Sequence, residues 1–76
     1  MTWQRALQTI RDYGFRNREV VARLGVTHAA VDFWWATIHG RAANRCHPDY
    51  RHGRLLIGWA LGLLAGTELH RDEENR

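Results

Sequence analysis

The 76-residue chain contains no lysine, and all eleven of its basic side chains are arginine. A GC-rich coding bias accounts for this without any functional reason. The chemical consequence holds either way: guanidinium groups bind phosphate and carboxylate bidentately and stack on aromatic rings. Cysteine is nearly absent too. The lone Cys46 cannot close an internal disulfide, so the chain reads as cytoplasmic. No secretory leader is expected, because MTWQRALQTI is polar, helical in pattern and without an apolar run. The one long uncharged stretch, LLIGWALGLLAGT from Leu55 to Thr67, has thirteen residues. A bilayer span takes about twenty, so no membrane partner is expected. No alternating strand pattern, repeat or low-complexity tract occurs, apart from the charged tail RDEENR.

What remains is helical periodicity. Thr2 caps a first helix to about Tyr13, with Trp3, Leu7 and Ile10 at i, i+4 and i+7. Gly14 stops it. Asn17 is expected to cap a second helix to Leu24, with Glu19 near its positive end. Gly25 supplies a positive φ, Val26 turns back toward the core, and Thr27 caps a third helix from about His28 to Ile38. The inner positions of that helix are Ala30, Val31 and Trp34. A polar loop, GRAANRCH, follows, and Pro48 fits the first turn of a last helix to about Leu69. The expected fold is all-α, a small helix-turn-helix domain of four to five helices. Residues 1–70 form the domain and 71–76 a frayed tail. A domain of this size buries only about 60% of its unfolded surface, which favours a partner.

The stretch NREVVARLGVTHAAVDFW, Asn17 to Trp34, carries the strongest motif. Two short helices around a glycine turn hold the second helix out as a probe. The segment LGVTHAAVDFW resembles the phage Cro and repressor-type helix-turn-helix families, over roughly residues 17–35. The resemblance implies a dimeric DNA-binding transcriptional regulator. It places Thr27, His28, Ala29, Asp32, Phe33 and Ala36 on the outward face of the probe helix. Arg16, Arg18, Arg41 and Arg45 then flank that helix as phosphate contacts. Two departures stand out. Val21 occupies a position where the family prefers alanine, and the third helix runs about one turn longer.

Charge supports a polyanion partner. Met1–Arg54 holds nine arginines against four carboxylates, whereas Leu55–Arg76 holds two against four. The probe face itself is unusual for a DNA reader, since none of its six positions carries a fixed positive charge. Asp32 would have to accept from cytosine N4, while Phe33 could meet a thymine methyl and His28 a guanine. The same face, with Trp35 beside it, also fits an aromatic hot spot. The alternative function is therefore a protein-binding inhibitor or adaptor of phage origin, directed at a host or defence protein. A structural subunit of a phage DNA-handling complex is a third reading. For Trp35, core packing competes with surface exposure.

Enzyme chemistry has little to stand on. No nucleophile, base and orienting carboxylate recur at recognisable spacing. Cys46, His47, His52 and His39 lack the second cysteine and the ordered pairs of a structural zinc site. No cofactor is expected. In the last helix, Gly58, Gly62 and Gly66 recur every fourth residue, and each glycine costs a helix about 1 kcal/mol relative to alanine. Leu56, Trp59 and Leu63 lie on the other side. A helix apolar nearly all round points to a homodimer, with Gly58, Trp59, Gly62 and Leu63 at the contact.

Overall fold

A computed structural model describes residues 1–41 and 47–66. These residues form four helices and no strand: α1 (Trp3–Asp12), α2 (Asn17–Leu24), α3 (His28–Ile38) and α4 (Tyr50–Ala65). The all-α helix-turn-helix expectation is met, with α2 and α3 joined by Gly25, Val26 and Thr27.

Local chemistry sets the helix ends. The Thr2 hydroxyl accepts from the Arg5 N–H at 3.2 Å, and the Thr27 hydroxyl from the Ala30 N–H at 3.1 Å. Gly25 adopts φ 70° and donates to the Val21 carbonyl, while the Val26 N–H reaches the same carbonyl. That reversal needs a residue tolerant of the left-handed region, and glycine meets it without a Cβ clash.

Three boundaries differ from expectation. Asn17 is not the cap of α2: Arg16 holds that place, and the Glu19 carboxylate reaches back to the Arg16 N–H. That bond frees the Asn17 side chain for another use. Pro48 lies before α4 rather than in its first turn. Asp49 caps the helix, accepting from the His52 N–H at 2.8 Å. The helix then stops at Gly66, φ 77°, short of Leu69. Arg45, Cys46 and the 71–76 tail lie outside the described residues.

Packing follows two pairings, α1 along α4 and α2 along α3. One buried cluster joins them, with Ala6, Leu7 and Ile10 from α1, Val20 and Leu24 from α2, and Val31, Trp34 and Trp35 from α3. From α4 come Leu56, Trp59, Ala60 and Leu63. Each fully buried Leu or Ile here contributes about 1.5–3 kcal/mol relative to exposure. Phe15 meets the Trp59 ring edge-on at 5.1 Å, and the Arg23 guanidinium lies over the same ring at 4.4 Å. The α1–α2 connection, α2 and α4 thus converge on one indole.

The expected dimer contact is displaced by this packing. Trp59 is 3% and Leu63 1% exposed, so both are committed to the core of their own chain. Gly58 is exposed, and a Cβ built there would meet nothing within 4 Å. It is not a site of close approach within the domain. Gly62 is half-buried, and Gly66 is the helix terminator.

Candidate nucleic-acid interface

Asn17 is where the site begins. As the first residue of α2 it faces α3, and its amide oxygen accepts from the Trp35 indole N–H at 3.0 Å. Its amide nitrogen donates to an Asp32 carboxylate oxygen at 3.4 Å. Trp35, only 6% exposed, also lies beneath the Arg11 guanidinium, 4.9 Å from its centroid. The His39 imidazole stacks on it at 5.7 Å with 19° between planes. Of the two readings of Trp35, core packing is the one realised. Its ring links the end of α1, the start of α2 and the end of α3.

Around this joint runs a shallow groove of about 530 Å³, lined by Gln8, Arg11, Asn17, Asp32, Trp35, His39 and Arg41. Arg41 reaches its rim because the chain reverses at Gly40, letting the Arg41 N–H donate to the Ala36 carbonyl at 2.8 Å. A second groove of about 490 Å³ shares Arg11 and Asn17 and adds Gly14, Phe15, Arg16 and Arg18. Together they hold four arginines and one carboxylate, Asp32, which is bonded to Asn17. Guanidinium forks suit phosphate oxygens, and the exposed Arg16, Arg18 and Arg41 can adjust to them.

Five of the six positions expected on the outer side of α3 are open to solvent. Thr27, His28, Ala29, Asp32 and Phe33 are exposed and Ala36 is half-buried. Phe33, at 55% exposure, is the most exposed aromatic of the α2–α3 unit. Its carbonyl accepts from the Thr37 hydroxyl at 3.0 Å. The structure therefore gathers Asp32, Arg41, Arg16 and Arg18 around Asn17, whereas Thr27, His28, Ala29, Phe33 and Ala36 line neither groove. Arg11 and His39 line the groove from outside the motif of residues 17–34, and Asn17 was expected there only as a helix cap. Arg11 and Trp35 are brought together only by the tertiary fold. Compared with protein-family models, curated proteins and solved structures, the chain matches none of them. Among the described residues, no helix is long and apolar enough to cross a membrane.

Proposed function

We propose that the chain is a sequence-specific DNA-binding transcriptional regulator of the phage Cro and repressor type, acting as a dimer through α2 and α3. The observation that carries this reading is the pair of joined grooves beside α3, where Arg11, Arg16, Arg18 and Arg41 oppose a single carboxylate. Phosphate contacts from such a cluster would fix the register of the protein on the duplex. The α3 positions then read base edges, with His28 toward guanine, Asp32 toward cytosine N4 and Phe33 toward a thymine methyl. Asn17 donates to one oxygen of the Asp32 carboxylate at 3.4 Å.

The exposed Phe33 ring favours a second reading, a protein-binding inhibitor or adaptor that engages a host or defence protein. Gel shifts on the DNA upstream of the gene, at two salt concentrations, separate the two. The regulator reading expects a discrete complex that weakens as salt rises. Absence of salt-sensitive binding at micromolar protein overturns it.

A further inference from the structure

Histidine is the side chain whose charge ordinarily changes between about pH 5 and 8. Among the described residues, His39 is the only histidine lining either arginine groove. It closes α3, its backbone N–H donating to the Trp35 carbonyl at 3.0 Å. The turn at Gly40 that follows, φ 70°, carries Arg41 to the same rim. The imidazole is stacked on Trp35. Stacking occupies a face of the ring and leaves its two nitrogens, which lie on the edge, available to an anion. Three charged groups share the groove with it: the Arg11 guanidinium from α1, the Asp32 carboxylate from α3 and the Arg41 guanidinium beyond Gly40. From α2 comes only the neutral Asn17. Asp12, next to Arg11, accepts from Gln8 at 3.0 Å and does not line the groove. A positive charge added here therefore faces two guanidinium groups against one carboxylate. A phosphate entering the groove offsets both arginines and reverses that balance.

We infer that His39 is a proton-dependent phosphate contact: the chain takes up a proton from solvent as it binds nucleic acid, and it binds more tightly as the pH falls. This rests on the DNA reading given above and adds its regulation by acid. A neutral imidazole offers a phosphate one N–H and no charge, whereas an imidazolium offers two N–H groups and a full positive charge. The bound chain therefore holds the proton more firmly than the free chain. Reciprocity then makes the proton favour DNA by the same factor that DNA favours the proton. The gain is present at the acid end of the imidazole range and is lost as the pH rises through it. The arginines keep their charge throughout, so they supply affinity without pH dependence. The Trp35 stack is present with or without DNA, so it fixes where the ring lies rather than how strongly proton and phosphate are coupled. His28, the first residue of α3, lines neither groove and stands outside this coupling.

The test is fluorescence anisotropy of the full chain on a labelled duplex from upstream of the gene, at constant ionic strength, between about pH 5.5 and 8.5. Wild-type affinity should rise about tenfold from the alkaline to the acid end, the gain from one linked proton held about tenfold more tightly in the complex. His39→Gln should keep the alkaline affinity and lose the acid gain. His39→Arg, whose charge does not titrate, should show at alkaline pH the affinity that the wild type reaches only in acid. His28→Gln should leave the dependence unchanged. His39 is exposed, so the circular dichroism of its variants should match the wild type. Binding that does not vary with pH overturns the inference and leaves the DNA reading standing. A dependence that survives His39→Gln, or that disappears in His28→Gln, does the same. Absence of binding at every pH overturns both.

Discussion

Asn17 commits both ends of its amide to α3, accepting from Trp35 and donating to Asp32. Truncating it to alanine removes the acceptor of the part-buried Trp35 indole N–H, a loss of about 1 kcal/mol where water from the groove can take its place. Urea denaturation of Asn17→Ala should therefore show a lower midpoint at unchanged slope. At the neighbouring surface, two substitutions separate the functional readings. If α3 meets DNA, Asp32→Asn should strengthen nonspecific binding by removing a charge near phosphates, and Phe33→Ala should cost little. If α3 meets a protein, Phe33→Ala should cost about 2 kcal/mol or more. Asp32→Asn would then weaken the complex as well, through loss of a charged partner. Titrating both variants against DNA and against a captured partner distinguishes the patterns. The role of Asn17 was hidden in the sequence because a residue with a good capping side chain stood at a helix start. What decided the cap was Glu19, three residues beyond Arg16.

Among the elements, two glycines should respond in opposite ways to the same change. Gly25 ends α2 in the left-handed region, where a Cβ is strained. Gly25→Ala should destabilise the chain by about 1 kcal/mol or more. Gly58 is helical, and a Cβ there meets nothing, so Gly58→Ala should raise the stability of dilute monomeric protein by about 1 kcal/mol. Thermal melts of the two variants at low concentration check both signs. The ends of α1, α2 and α3 were legible because Thr2, Thr27 and Gly25 act within a few residues of themselves. The packed side of α4 was not. Apolar residues run nearly all round that helix, so periodicity could not assign its inner face, and the glycine stripe turned out to include an exposed position and a terminator.

For the whole molecule, if the chain binds DNA as proposed, the arginine-rich grooves predict how that affinity should vary with salt. Each phosphate neutralised contributes about −0.9 to the slope of log affinity against log salt. Arg18→Ala and Arg41→Ala should each lower affinity for all sequences alike and flatten that slope by about one. Fluorescence anisotropy across a salt series, on specific and scrambled duplexes, measures both effects. The basic bias of the first 54 residues and three of the four groove arginines were visible in the sequence. Arg11 was not, because it lies in α1, far along the chain from the probe helix. Only the folding of α1 against the α2–α3 unit sets its guanidinium over Trp35.

The stack of Arg11, Trp35 and His39 also has an optical consequence. The emission of an indole changes when a cation stacked against it moves away. A phosphate that draws Arg11 toward itself therefore alters the light Trp35 emits. Subtracting the emission of a Trp35→Phe variant removes the contributions of Trp3, Trp34 and Trp59. The groove thus contains its own spectroscopic label, placed where an arriving anion would first be felt.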